Sequence, residues 1–477
     1  SDLIFIDLGY GSMRLGGSAY NQVNNNIGDL TTNFENPKKF IKVFNIIQSL
    51  IKDNKILSGH DRSDGGLIST ICEMSIASNI GCDILLNDNK IINQNNYLEF
   101  LFNEELGLVI EVNRNETLMI LSKLENIVPA KVIGNTTKNK IVKIQGYNDE
   151  MLLSKYIKDI RSKWERTSYE LEKKQINNEL AEKENKYLIN SNIIDYDYYY
   201  PDKVISKLKK INSAYNTSKN TKINNLNKFN VGIIRDEGSN GDREMLVAFE
   251  MAGFNVYNIS MNDLLENNNL LNDISGLAFV GGFSYADALG SANGWFNVIK
   301  NNKDIKIAFD NFFNRDDTFS FGVCNGFQLM CKLDILDVDF NLVENDSKRF
   351  ESRFVNVQVE KSNSIFLKDM EGLNMGIWIA HGEGKLMSND VSNINKNCTI
   401  RYLNNEYPLN PNGSIDNITG ITSNNGRHFG LMPHPERCFL NWQLPYISNN
   451  IKKENVDLRF SPWFLIFKNA YDWCLNF

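Results

Sequence analysis

The amino-acid sequence predicts an α/β protein with two sheets, because two separate regions show alternating helical and strand-like patterns. Within residues 1–148, helical patterns alternate with the apolar runs CDILL, LGLVIEV, AKVIG and KIVKIQG, which predict a mixed sheet. From Phe229 onward, buried strands such as FNVGIIRD, NVYNIS and GLAFVGGFS alternate with helices such as REMLVAFEMAG. This second pattern predicts a parallel sheet with active loops at the carboxyl ends of its strands.

A third region joins the two. The segment 151–190 has helical spacing and dense Glu and Lys, and it contains neither Gly nor Pro, so a long surface or bridging helical element is expected. Residues 212–229 are polar and are expected to be a linker. The predicted domains are therefore 1–148, a helical connection with its linker at 149–228, and 229–477.

Composition excludes several classes of protein. The net charge of -7 and pI near 5.4 do not favour a general nucleic-acid or membrane partner. The seven cysteines show no CxxC pairs, which argues against a disulfide framework or a structural zinc site and favours a reducing, cytoplasmic location. No apolar run approaches the ~18 residues of a membrane span. An ordinary globular protein is expected.

The segment FSFGVCNGFQLMCKL carries a candidate nucleophile, Cys324. An apolar strand runs directly into this cysteine, and an amphipathic helix follows it. Gly322 and Gly326 flank Cys324 in a G-x-C-x-G pattern, which is typical of a sharp elbow that projects a nucleophile into a cleft. A helix N-terminus favours thiolate over thiol. The backbone N–H of Asn325 is expected to point at a developing oxyanion.

The candidate general base lies in GRHFGLMPHPER. A short strand is expected to end just before His434, and Glu436 follows two residues later. In an extended chain these two side chains project to the same side, and a carboxylate beside an imidazole fixes its tautomer and stabilises the imidazolium. His428 lies within the strand and is interpreted as structural.

A glycine pair ends another predicted strand, in GLAFVGGFSYADALG. Backbone N–H groups can approach a ligand closely where no Cβ intervenes, so Gly282 is the expected second oxyanion donor beside Asn325.

Together, GGFSYADALG, GVCNGFQ and PHPER closely resemble the glutaminase domain of the large phosphoribosylformylglycinamidine synthase family. The resemblance continues through RFESRFVNVQV, IAHGEGK, NPNGS and SPWFLIFKNA and covers essentially all of 229–477. It implies a class I glutamine amidotransferase domain with a flavodoxin-like parallel sheet and flanking helices. The sequence departs from the family pattern at Ala286, where Gly is usual, and at Lys385, where Arg is common.

The first 148 residues resemble the C-terminal half of the same family's second synthetase repeat, an α/β half-domain like that of aminoimidazole ribonucleotide synthetase. The similar segments are GSMRLGGSAYNQVNNNIGD, SGHDRSDGGLISTICEMSIAS and LFNEELGLVIEV. In HDRSDGG, Asp61 and Asp64 stand just before a helix, where carboxylates suit Mg²⁺ and glycine amides suit phosphate. The resemblance implies that Asp61 binds magnesium and that Ser63 contacts ATP; from the motif alone, a polar helix-capping turn remains an alternative.

The resemblance implies a complete reaction. Cys324, His434 and Glu436 would release ammonia from glutamine. By its position on the first turn after the nucleophile, Gln328 is placed to help orient that substrate, and His381 in the HGEGK loop is a further candidate for the same pocket. With ATP and Mg²⁺, the ammonia would convert formylglycinamide ribonucleotide to formylglycinamidine ribonucleotide in purine synthesis.

The family's N-terminal synthetase segments do not occur in these residues, so the expected partner is that missing part, in the same polypeptide or in a separate subunit. Three alternatives remain. They are a class I glutaminase feeding another synthetase, a Cys-His-Glu hydrolase or peptidase, and a non-catalytic scaffold.

Overall fold

A computed structural model describes residues 1–86, 96–190, 198–218, 229–447 and 458–476. The chain divides into two compact units, one of residues 1–171 and 185–194 and the other of residues 172–184 and 195–477. Within the described ranges, no helix combines the length and the apolar character that crossing a bilayer requires.

The first unit is a seven-stranded mixed sheet with helices. Its strand order is β2-β4-β1-β5-β3-β6-β7, and every neighbouring pair is antiparallel except β3 with β6. The strands are β1 Asp2–Asp7, β2 Ile56–Asp61, β3 Gly81–Leu85, β4 Gly107–Val112, β5 Ala130–Thr137, β6 Ile141–Gln145 and β7 Met151–Tyr156. The helices of this region are α1 Ala19–Val23, α2 Pro37–Lys52, α3 Gly66–Ser78, α4 Tyr97–Phe102, α5 Thr117–Leu124, α6 Ile157–Trp164, α7 Arg166–Glu172 and α8 Asn178–Asn190.

Alternation along β1 explains two separate cores in this unit. Leu3 and Phe5 pack into one apolar cluster, whereas Ile4 and Ile6 pack into another. Successive side chains of a strand point to opposite faces. Both faces of the sheet are therefore covered.

The second unit is built on a nine-stranded sheet of order β14-β13-β16-β17-β18-β11-β10-β8-β9, beside a small β12–β15 pair. Its strands are β8 Asn230–Arg235, β9 Asn255–Ser260, β10 Gly276–Phe279, β11 Phe319–Val323, β12 Asn341–Val343, β13 Glu351–Val359, β14 Asn374–His381, β15 Lys385–Met387, β16 Cys398–Tyr402, β17 Ile418–Thr422 and β18 His428–Leu431. Its helices are α9 Asp202–Ser218, α10 Asp242–Ala252, α11 Met261–Glu266, α12 Asn293–Asn301, α13 Lys303–Asn314, α14 Asn325–Lys332, α15 Val391–Asn397 and α16 Phe464–Cys474.

The predicted α/β class is confirmed, and the parallel part of the second sheet comprises β18, β11, β10, β8 and β9. The antiparallel extension through β17, β16, β13 and β14 was not predicted. It brings the end of β14 to the catalytic region, as described below.

The prediction of one long helical element over 151–190 is wrong. Residues 151–156 pair with β6 as strand β7, and the remainder forms three separate helices. No Gly or Pro bounds the run MLLSKY, so the local sequence does not distinguish this strand from a helix. Its pairing with β6, rather than local propensity, determines its structure. The predicted linker at 212–229 begins inside α9, and its residues 219–228 lie outside the described part of the chain.

Candidate active site

Cys324 lies at a strained turn between strand β11 and helix α14. Its backbone angles, φ 52° and ψ −109°, are unusual for a residue with a Cβ, and its side chain is buried. Such strain persists only where the surrounding structure enforces it, and it is often found at functional sites. The first-turn amides of α14 follow this residue directly, so the thiol lies at the positive end of a helix.

Three neighbouring parallel strands converge on this cysteine. β11 carries Cys324 and lies between β10 and β18. Beyond the carboxyl end of β10 come Gly281 and Gly282, and beyond that of β18 comes His434. Because parallel strands end at the same edge of a sheet, the predicted nucleophile, oxyanion loop and base meet there.

His434 and Glu436 form a buried pair. Nδ1 of the imidazole lies 2.6 Å from Oε1 of the carboxylate, and both side chains are 1% exposed. A tight 3₁₀ turn over Pro435–Arg437 brings them together. The expectation of an extended chain at this point was therefore wrong, although the residues do meet. The carboxylate also lies beside the N-terminus of α10, since a Cβ on Gly241 would be 3.5 Å from Oε1 of Glu436.

The surroundings of His434 favour its protonated form. Burial alone would lower the pKa of this imidazole, but the charge of Glu436 and interactions with Cys324 and Glu436 outweigh burial and raise the pKa to about 9. An imidazolium stabilises a neighbouring thiolate. The arrangement can therefore hold a thiolate–imidazolium pair after proton transfer from Cys324.

Gly281 allows Cys324 and His434 to approach each other. A Cβ at this position would stand 2.9 Å from Cε1 of His434 and 3.5 Å from Cβ of Cys324. Gly282 adopts φ 128°, and a Cβ there would come 2.5 Å from the backbone nitrogen of Asn240. Gly281 therefore has to be glycine because the side chains of Cys324 and His434 lie so close. Gly282 has to be glycine because of its backbone conformation.

Asn325 links the nucleophile elbow to the oxyanion loop through its side chain. Its Oδ1 accepts a hydrogen bond from the backbone of Ser284, and its Nδ2 donates to Asp287 and to Gln328. Gln328 in turn donates to the carbonyl of Glu383 at 2.6 Å. The amide of Gln328 thus connects Asn325, on its own helix, to the loop that follows β14. Its orientation of substrate glutamine stays a prediction.

The outer edge of β14 is a part of the candidate site that sequence reasoning missed. The carbonyl of Trp378 accepts a hydrogen bond from the backbone of His434, and that of Ala380 accepts one from Sγ of Cys324 at 3.5 Å. The motif IAHGEGK carried the only sequence signal for this strand, through its family resemblance. His428, in contrast, lies within β18, with Nδ1 2.8 Å from the hydroxyl of Ser320.

Asp61 and Ser63 lie in the other unit, at the end of β2 and just beyond it. The Asp61 side chain is 72% exposed, and the Ser63 hydroxyl donates a short hydrogen bond to it. This hydrogen bond, above all, lowers the pKa of Asp61. The predicted glycine amides are engaged within the protein, because Gly65 donates to Glu104 and Gly66 donates to the carbonyl of Ser63. Phosphate binding by these two amides would therefore require rearrangement of the turn.

The residues present fit a magnesium ion only in part. Among the described residues, no group of three or more His, Cys, Asp or Glu side chains is arranged to hold a metal. Mg²⁺ is commonly held by one or two carboxylates together with substrate phosphates. Asp61 can supply one such ligand.

The fold and site define a class of protein. The chain belongs to the family described as CobB/CobQ-like glutamine amidotransferase domain, whose profile matches residues 228–474. Residues 8–146 match a second profile, described as AIR synthase related protein, C-terminal domain.

Curated relatives have a more specific name. The phosphoribosylformylglycinamidine synthase of Dictyostelium discoideum is 39% identical over 99% of this chain and 37% of that protein. A probable phosphoribosylformylglycinamidine synthase of Arabidopsis thaliana, named as chloroplastic/mitochondrial, is 39% identical over 99% of this chain and 34% of that protein. The chain therefore spans little more than a third of the length of these relatives. Among solved structures, PurLQS from Thermotoga maritima is 26% identical over 52% of this chain and 99% of that chain, with a TM-score of 0.40.

Proposed function

We propose that this chain supplies the glutaminase, and part of the synthetase site, of an enzyme that converts formylglycinamide ribonucleotide to formylglycinamidine ribonucleotide in purine synthesis. One observation above all supports the glutaminase half: the strained Cys324 lies between a buried His434–Glu436 pair and a glycine loop. The names of relatives that match nearly the whole chain support the synthetase half.

The chemistry follows from the geometry. His434 takes the proton of Cys324, and the thiolate attacks the side-chain amide carbon of glutamine. The N–H groups of Gly282 and Asn325 are the proposed donors to the resulting oxyanion. His434, now an imidazolium held by Glu436, returns its proton to the leaving nitrogen, so ammonia departs and a glutamyl thioester remains. Water then hydrolyses the thioester to glutamate and regenerates the thiol.

In the synthetase half, Asp61 is the proposed magnesium ligand and Ser63 the proposed ATP contact. Bound ATP would supply a phosphoryl group that activates the substrate's formamide oxygen, and ammonia would then displace phosphate. Asp61 is a single exposed carboxylate, and the proposed source of the rest of this site is the family's remaining synthetase segments, in the same polypeptide or a separate subunit. We propose domains 1–148 and 229–477 for the two halves, with 149–228 as the connection. Of this connection, β7 pairs with β6 in the first sheet and α9 packs into the core of the second unit.

A cytoplasmic location is proposed on cysteine usage alone. All seven cysteines are free thiols, which is typical of a reducing compartment. The relative from Arabidopsis thaliana is named as chloroplastic/mitochondrial.

Glutamate release from glutamine by the full chain tests the glutaminase half. We expect wild-type activity and its loss in Cys324→Ala, together with stoichiometric labelling of Cys324 by a diazoketone analogue of glutamine. Labelling of a different cysteine would contradict the assignment. Peptide hydrolysis without a glutamine preference would favour the hydrolase alternative.

The destination of the ammonia needs a separate measurement. The chain would be combined with the remaining synthetase segment of a relative and supplied with glutamine, ATP, magnesium and formylglycinamide ribonucleotide. Formation of the amidine product supports the proposal. Glutaminase activity without stimulation by that ribonucleotide would favour another synthetase as the recipient.

A further inference from the structure

His381, the last residue of β14, is a buried histidine outside the proposed triad. Its Nε2 lies 3.0 Å from Nδ2 of Asn412. The amide of Asn412 is fixed in orientation, because its Oδ1 accepts hydrogen bonds from both the backbone N–H and the hydroxyl of Ser414. Its Nδ2 therefore donates to the ring, and Nε2 of His381 is an acceptor. On this hydrogen-bond network, the proton of the neutral imidazole is on Nδ1.

The ring stays neutral at physiological pH. Burial, together with the nearby charge of His434, lowers the pKa of His381 to about 3. Its Nδ1–H, however, forms no hydrogen bond with any residue in the described part of the chain. A buried donor without a partner costs about 1–3 kcal/mol, so a persistent one calls for an acceptor in the working protein.

The residues on either side of His381 contact the nucleophile and its helix. The carbonyl of the preceding residue, Ala380, accepts a hydrogen bond from Sγ of Cys324. Two residues beyond His381, the carbonyl of Glu383 accepts one from Gln328 on the nucleophile's helix. The strand end and its loop are thus hydrogen-bonded to the nucleophile elbow on both sides of His381, which favours a molecule bound at Cys324 as the source of an acceptor.

We propose that His381 is a neutral hydrogen-bond donor of the glutaminase centre and that its Nδ1–H binds an oxygen of the substrate glutamine. The proposal rests on the glutaminase function argued above. Glutamine offers two oxygen groups of suitable chemistry, the side-chain carbonyl and the α-carboxylate. His381 differs from His434 in role, because a ring that stays neutral binds without transferring a proton.

Two substitutions separate binding by Nδ1 from a purely structural role. In His381→Asn, the amide nitrogen can take the place of Nδ1 but cannot reach Asn412. In His381→Gln, the longer side chain can keep the contact with Asn412 but places no donor at the Nδ1 position. His428→Gln is the matched control, because His428 is also buried, with a pKa lowered to about 3, but is bonded to Ser320 in the body of its strand.

The full chain of each variant would be measured for glutamate release, as kcat and KM, and for the rate of Cys324 labelling by the diazoketone. Loss of one donor to a reacting oxygen typically costs about 10²–10³-fold in kcat. We expect a loss of this size in His381→Gln, less than about tenfold in His381→Asn, and unchanged kcat/KM per folded molecule in His428→Gln. A fall in kcat assigns the side-chain carbonyl as the acceptor, and a rise in KM alone assigns the α-carboxylate.

Two results would overturn the proposal while leaving the glutaminase function intact. One is wild-type kinetics in His381→Gln, and the other is an equal loss in the Asn and Gln variants. If wild-type protein neither releases glutamate nor labels at Cys324, the glutaminase function itself fails, and the role of His381 fails with it.

Discussion

Replacement of Glu436 by Gln would test the electrostatic coupling on which the proposed mechanism depends. In the wild-type protein the carboxylate, 2.6 Å from Nδ1, opposes the effect of burial and helps to raise the pKa of His434 to about 9. Without that charge, burial dominates, and we expect the pKa to fall below the ordinary value of 6.5. A fall from about 9 to 6.5 corresponds to about 3 kcal/mol of lost interaction with the imidazolium.

The sign of the pH dependence follows directly. The pKa of His434 in the folded protein lies above its value in the unfolded chain. The contribution of His434 to the free energy of unfolding is therefore complete below pH 6.5 and is lost as the pH rises through about 9. In Glu436→Gln this loss between pH 6.5 and 9 should disappear. Asp317→Asn is the control, because that carboxylate pairs with Arg315 at the surface and its lowered pKa affects stability only in acid.

Histidine NMR is a suitable assay because the chain has only four histidines. His381 and His428, with pKa values near 3, should show no titration between pH 5 and 10. We expect a signal titrating near pH 9 in the wild type that is lost from this range in Glu436→Gln, together with a fall in glutaminase turnover of about 10²–10⁴-fold. The reasoning is refuted if Glu436→Gln leaves that titration unchanged.

Three further predictions concern other parts of the chain. Gly281→Ala should reduce the turnover of glutamate release at least tenfold, because its Cβ would stand 2.9 Å from His434. Gly382→Ala is the control and should leave this turnover unchanged, because the space around its Cβ is open. Arg353→Gln should lower the unfolding free energy in urea by about 2–4 kcal/mol, because it breaks contacts with Glu184, Glu351 and Tyr407. The exposed Lys306→Gln control should cost less than about 1 kcal/mol, and similar losses in both variants would contradict this. Asp61→Asn should weaken magnesium-dependent ATP binding to the complemented enzyme by about tenfold in calorimetry, and unchanged affinity would remove Asp61 from that site.

Much of the candidate site was predictable because its signals are local. A strand, a cysteine between two glycines and a helix are continuous in sequence, and together they predicted the turn at Cys324 that the structure shows. The separation of His434 and Glu436 by one residue predicted their pairing, although a 3₁₀ turn brings them together. Segment 151–156 was misassigned because no local signal distinguishes it from a helix.

The sequence by itself determined the α/β class, the strand–cysteine–helix elbow and the identity of the residues that surround the thiol. Tertiary structure alone decided that β10, β11 and β18 are neighbours, that the edge of β14 reaches Cys324, and that Asn412 sets the tautomer of His381. The physical reason is the separation in sequence over which each kind of interaction acts. Hydrophobic periodicity and turn chemistry act over a few residues, whereas strand order and side-chain hydrogen bonds join groups that are tens to hundreds of residues apart. The three-dimensional packing therefore places the proposed base, the proposed oxyanion loop and a second buried histidine around Cys324.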